Sequence, residues 1–99
     1  MAATPEKKVK TAIKSWLTKQ GIYFHCPIGS AFGTHGAPDI FCCAKGRFVG
    51  IECKAPGKEK NTTPNQDDHI SRINAAGGLS FVASSLDEVV VQFTALGLL

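Results

Sequence analysis

The sequence predicts an α/β fold, a mixed central sheet of about four strands flanked by helices in the order α-β-β-β-α-β-α. Three observations carry this. Helical apolar spacing occurs in a capped segment near each end of the chain and again in the middle. Two strand-like runs, Pro38 to Ala44 and Arg47 to Lys54, are separated only by Lys45-Gly46. Another short strand candidate follows the middle helical segment.

The elements follow in order. Thr4-Pro5-Glu6 is a helix start, with Thr as N-cap, Pro in the first helical position and an acid in the first turn. Val9, Ala12, Ile13, Trp16 and Leu17 then recur on one face, and Gly21 supplies the stop, so the first helix covers about Pro5 to Gln20. Ile22 to Pro27 is a short strand, and the glycine-rich stretch Gly29 to Gly36 is a loop. Pro38 to Ala44 and Arg47 to Lys54 form a hairpin on a tight Lys45-Gly46 turn. Ala55 to Thr62 is polar, basic and rich in breakers, hence a mobile loop.

Thr63-Pro64-Asn65-Gln66 has the capping-box spacing and opens a helix that carries Ile70, Ile73 and Ala76 and stops at Gly77-Gly78. Leu79 to Ala83 is a strand. Ser85-Leu86-Asp87-Glu88 is a further capping box, opening a last helix with Leu86, Val89, Val90, Phe93 and Leu96 on one face. Val91, Ala95, Leu98 and Leu99 lie off that face, which makes a second copy of the chain the expected partner of this helix.

A chain of 99 residues, 43% hydrophobic and 19% charged, is expected to form one ordinary globular domain over its whole length. No apolar run approaches the roughly 20 residues needed to cross a bilayer. The start, MAATPEKKVK, lacks the apolar segment of a secretory signal, so a cytoplasmic location is expected. Cys26, Cys42, Cys43 and Cys53 form no C-x-x-C pair and read as buried small hydrophobes. The net charge of +3 permits a polyanionic partner without demanding one. Lys7, Lys8, Lys10, Lys14 and Lys19 read as a solvated helix face. His25, His35 and His69 have no partner at metal-ligand spacing and read as structural or exposed, and Trp16 and Phe24 as core.

The chemistry is concentrated in Pro38-Asp39 and Glu52-Cys53-Lys54. Glu52 and Lys54 are two apart on a strand and leave the same face. Counting back from a two-residue turn at Lys45-Gly46 sets Ala44 against Arg47, Cys43 against Phe48 and Asp39 against Glu52, with opposed Cβ atoms about 5 Å apart. Two adjacent carboxylates repel unless a positive charge lies between them. Hard oxygen donors favour Mg²⁺ or Mn²⁺, which polarise a phosphate and lower the pKa of a bound water. Lys54 would orient or help deprotonate that water, or stabilise charge on the phosphate. The implied chemistry is hydrolysis of a phosphodiester. Glu6 shares the helical stripe of Val9 and Ile13 and is expected to point toward the sheet, unless its part is only to complement the helix dipole. Gln66 shares the stripe of Ile70 and Ile73 and faces inward, as capping residue, site residue or both.

At these residues the chain resembles the VRR-NUC branch of the PD-(D/E)xK nuclease superfamily. The matching pieces are Glu6, Gly36-Ala37-Pro38-Asp39-Ile40, Gly50-Ile51-Glu52-Cys53-Lys54 and Thr63-Pro64-Asn65-Gln66, spread over nearly the whole chain. The Val-Arg-Arg signature that names the family is absent, and Arg72 follows Ser71 alone. The resemblance implies a restriction-endonuclease-like fold and a Mg²⁺- or Mn²⁺-dependent endodeoxyribonuclease. Asp39, Glu52 and the carbonyl of Cys53 would hold the metal, with Glu6 nearby. Lys54 would be the catalytic lysine, with Gln66 supporting the site. Stand-alone domains of this kind occur in phages and bacteria and resemble Holliday-junction resolvases, which act as homodimers. Branched or duplex DNA and a second copy of the chain are therefore the expected partners. The alternative is a nucleic-acid-binding module that keeps the fold without cleavage.

Overall fold

A computed structural model describes residues 3–28 and 35–99. Helix α1 spans Pro5–Lys19. The Thr4 hydroxyl accepts the N–H of Lys7 at 3.1 Å, satisfying one of the free donors of the first turn. Val9, Ile13 and Leu17 are its buried stripe, and Trp16 meets Phe93 edge to face with ring centroids 5.3 Å apart. The helix stops where Gly21 takes φ +71, which lets Ile22 N–H reach back to Leu17 O at 3.0 Å.

Strand β1, Tyr23–His25, is shorter than the Ile22 to Pro27 expected, and Pro27 beyond it has no N–H to extend a ladder. It pairs antiparallel with β2, Ile40–Ala44, which pairs antiparallel with β3, Arg47–Cys53. Lys45 and Gly46 both have positive φ, 52 and 78, as a two-residue type I′ turn requires. Ala44 therefore opposes Arg47 and Cys43 opposes Phe48, as expected, with the ladder running to Ile40 opposite Ile51. Helix α2, Pro64–Ala75, connects β3 to the parallel strand β4, Leu79–Ala83, and helix α3, Leu86–Ala95, closes the order. The sheet order is β1-β2-β3-β4. The expected α-β-β-β-α-β-α arrangement around a mixed four-stranded sheet is thus the observed one. No described helix is long and apolar enough to cross a membrane.

Alternation along the strands gives the sheet two unlike faces. One carries Ile40, Cys42, Ala44, Val49, Ile51, Cys53 and Ala83, all buried with Val9, Ile13 and Leu17 of α1 and Val89 and Phe93 of α3. The other carries Phe41, Cys43, Phe48, Gly50, Glu52 and Ser80. Helix α2 lies over its β3–β4 half: a Cβ on Gly50 would stand 3.2 Å from Ile73 Cδ1. Toward β1 and β2 this face is open: Tyr23 on β1 is 75% exposed and Phe48 at the start of β3 48%, and the rings of Phe41 and Phe48 meet at a tilt with centroids 5.0 Å apart.

Three expectations need correction. Of the cysteines only Cys42 and Cys53 are buried; Cys43 is exposed and Cys26 intermediate. Adjacent strand residues face opposite sides, so Cys42 takes the core side and Cys43 the open one. Burial pushes the Cys42 thiol up to about 12. The box at Ser85 is half formed. Ser85 accepts the N–H of Glu88 at 3.3 Å, but the Glu88 carboxylate turns to the N–H and hydroxyl of Ser84, both at 2.8 Å. Finally, Leu98 does not face outward. Gly97 has φ +66, Leu98 N–H bonds Phe93 O at 2.9 Å, and the Leu98 side chain folds into its own core. Val91, Leu96 and Leu99 are the exposed apolar side chains at this end.

Candidate active site

The site is assembled where β3 runs out beyond its pairing with β2. Lys54 N–H bonds Ala83 O on β4 at 3.0 Å. The preceding N–H, of Cys53, points the other way, past the end of the β2 ladder. It is taken by the Asp39 carboxylate, Oδ2 accepting at 2.8 Å. Pro38, fully buried, stands with its Cγ 3.0 Å from where a Gly50 Cβ would be and sets the position from which Asp39 enters. The carboxylates of Asp39 and Glu52 are thereby brought together, as the hairpin register requires.

Glu52 is 4% exposed, on the α2 face of the sheet. Its carboxyl is pushed up to about 8, first by burial and then by the Asp39 charge, with Lys54 opposing and Glu6 adding to the rise. Lys54 is also buried, its Nζ 3.7 Å from Glu52 Oε2. Gln66, in the first turn of α2, ties the two together. Its Nε2 donates to Glu52 Oε2 at 3.2 Å and its Oε1 accepts from Lys54 Nζ at 3.1 Å. The same Oε1 accepts the N–H of Thr63 at 2.9 Å, and Thr63 Oγ1 accepts the N–H of Gln66 at 3.2 Å. One glutamine therefore closes the capping box and links the helix start to the carboxylate and the lysine.

Glu6 is exposed at the rim rather than turned onto the sheet as its stripe suggested. It belongs to the first helical turn, above the buried stripe, which begins at Val9. Its charge still reaches the site, raising both the Glu52 carboxyl and the Cys53 thiol. Cys53 lies on the core face with its thiol pushed up to about 12, chiefly by burial, so its backbone and not its sulfur is the usable group. Lys10, read in the sequence as part of a solvated face, lies close enough for its charge to oppose that rise. It stands one turn after Glu6, and that spacing was the available signal. His25 is exposed and His69 half-buried, and neither touches the carboxylates. Residues 29–34, most of the glycine-rich loop Gly29 to Gly36, lie outside the described residues.

Among the described residues no three His, Cys, Asp or Glu side chains converge as a metal cage. The donors on hand are two carboxylates and backbone. They suit a hard divalent cation: all are oxygen, and the Asp39 charge beside buried Glu52 adds to the rise of its carboxyl. A cavity of about 500 Å³ lined by Phe48, His69, Arg72, Ile73, Ala76 and Gly78 lies at the opposite end of α2, away from this chemistry.

No family profile and no curated protein sequence matches the chain. A solved structure does: a "VRR_NUC domain protein" superimposes with a TM-score of 0.73 over 99% of this chain and 93% of its own, at 23% sequence identity. The chain has the VRR-NUC fold.

Proposed function

We propose that the protein is a divalent-metal-dependent endodeoxyribonuclease that hydrolyses phosphodiester bonds, with branched DNA as its preferred substrate. The observation that carries this is the convergence of Asp39, Glu52 and Lys54 at one strand end, with Gln66 bonded to both Glu52 and Lys54. Nuclease activity is inferred from that site and from the shared fold.

The Asp39 and Glu52 carboxylates and the Cys53 carbonyl would hold Mg²⁺ or Mn²⁺, with Glu6 contributing from the rim. Bound there, the ion would supply a Lewis acid for the scissile phosphate and lower the pKa of a bound water. Lys54 carries the catalytic cation of the chain itself. Held by Gln66, its ammonium orients the attacking water and offsets charge gathering on the phosphate. Gln66 fixes Lys54 and Glu52 relative to each other, so that neither must reorganise during the reaction. The test is incubation with a four-way junction, linear duplex and single strand, with and without Mg²⁺. Metal-dependent cuts, most frequent in the junction, are expected. Binding without cleavage under all conditions would leave only a nucleic-acid-binding module.

Lys58 and Lys60 lie exposed on the turns beyond Lys54, where Lys58 N–H bonds Ala55 O and Asn61 N–H bonds Lys58 O. Their exposure next to the site supports a role in phosphate contact. Replacing both with Ala should flatten the salt dependence of DNA binding, by about 0.9 in logarithmic slope per lost contact. An unchanged slope would turn the loop away from the DNA.

A junction is cut in two symmetric strands, which calls for two sites, so the homodimer is part of the proposal. Sedimentation equilibrium at micromolar concentration should find a species of twice the 10.5 kDa chain mass. A monomer that persists with junction DNA present would remove it.

A further inference from the structure

Helix α2 supplies Gln66 to the site, yet it has no fully buried side chain. Burial alone does not fix its position, and its two ends are held in different ways. The C-terminal end is pinned to β4 by Asn74, whose Oδ1 accepts the N–H of Ser80 at 2.8 Å and whose Nδ2 donates to Ser80 O at 3.0 Å. At the N-terminal end the backbone of Gly36 is pressed against the first turn of the helix. A Cβ on Gly36 would stand 2.6 Å from both the carbonyl carbon and the Cβ of Asn65, and 2.8 Å from the Gln66 nitrogen. Two of these three atoms are backbone, so the contact cannot be relieved by a side-chain rotation. The same Gly36 lies three residues before Asp39.

We propose that Gly36 is a positioning residue for the active site: its bare backbone seats the chain leading to Asp39 on the start of α2, and so fixes Gln66 against Glu52 and Lys54. The reason for glycine here is volume as well as conformation. Gly36 has φ +85, but Gly57 has φ +84 and nothing within 4 Å of where its Cβ would be. Replacing either by Ala puts a side chain at nearly the same left-handed φ. Only at position 36 does the methyl also drive two segments apart. Gly57 is therefore a matched control.

Gly36→Ala should shift and broaden the Gln66 side-chain NH₂ signal in a ¹⁵N–¹H spectrum. It should also speed amide exchange in the first turns of α2 about tenfold or more relative to Gly57→Ala, while the Asn74 end keeps its protection. Asn65→Gly removes one of the two carbons at 2.6 Å and should restore part of the Gln66 signal to Gly36→Ala. On the nuclease reading, on which the activity arm rests, cleavage should fall about tenfold or more in Gly36→Ala. It should fall no further when Gly36→Ala is added to Gln66→Ala, since both act through one side chain. The spectroscopic and exchange arms need no cleavage, so absence of activity in the wild type would count against the nuclease reading alone. Identical Gln66 signals and exchange in the Gly36 and Gly57 variants would overturn the proposal. So would additive losses with Gln66→Ala, or failure of Gly36→Ala to fold even with Asn65→Gly, which would mark Gly36 as structural only.

Discussion

Glu52→Gln should reduce metal-dependent cleavage by about a thousandfold or more with the fold intact, because a metal site stabilises several kcal/mol of transition-state charge. The substitution is close in shape, and Gln66 Nε2, now 3.2 Å from Glu52 Oε2, keeps an oxygen to donate to. Asp39→Asn is a second probe with a different structural safeguard. Its remaining carbonyl oxygen can still accept the Cys53 N–H, so the strand end stays closed while half of the anionic pair is lost. Lys54→Met removes the ammonium from beside Gln66 and should be as damaging as either, though it leaves metal binding largely in place. Calorimetric titration with Mn²⁺ separates the cases: heat of binding lost in the carboxylate variants and retained in Lys54→Met. Full Mg²⁺-dependent cleavage by Glu52→Gln would end the assignment of this site.

Much of this site was legible because strand geometry is periodic. A two-residue turn at Lys45-Gly46 leaves no freedom in the hairpin register, so Asp39 and Glu52 had to meet. Gln66 was legible twice over, as the partner of Thr63 in a capping box and as a residue on the inward stripe; both readings hold, since one Oε1 accepts from Thr63 and from Lys54. What escaped were contacts between segments distant in sequence. Nothing local shows that Gly36 abuts Asn65, since glycine at φ +85 explains itself as a loop residue. Helical periodicity carried past Gly97 misplaces Leu98, because the chain there reverses onto Phe93. The Glu88 carboxylate was assigned to the neighbouring cap by spacing alone, whereas Ser84 offers it an N–H and a hydroxyl together. The stripe that predicts an inward Glu6 ends at Val9, and the first turn before it is not covered by the sheet.

Without metal, the protein should become less stable as pH rises from about 4.5 to about 8. The Glu52 carboxyl ordinarily titrates near 4.5 and in the fold is pushed up to about 8, by burial first and by Asp39 second. The folded state thus holds a proton that the unfolded chain has already released. Below the unfolded value both states are protonated and the contribution to stability is complete. It is lost as pH climbs through the folded value, because Glu52 must then ionise beside Asp39 while nearly out of water. The loss should be on the order of a few kcal/mol, given about 1.4 kcal/mol per unit of displacement. Two comparisons isolate it. Glu52→Gln cannot ionise, so its thermal midpoint should fall less across this range and exceed that of the wild type at pH 8. Mn²⁺ or Mg²⁺ should raise the wild-type midpoint more at pH 8 than at pH 5, since a cation between the carboxylates favours their charged form and binding to the folded state alone stabilises it. The measurement is thermal unfolding of both proteins at several pH values with chelator or metal. Parallel pH profiles for wild type and Glu52→Gln, with no metal effect on either, would mean that Glu52 titrates as an ordinary surface carboxylate and that the pair holds no cation.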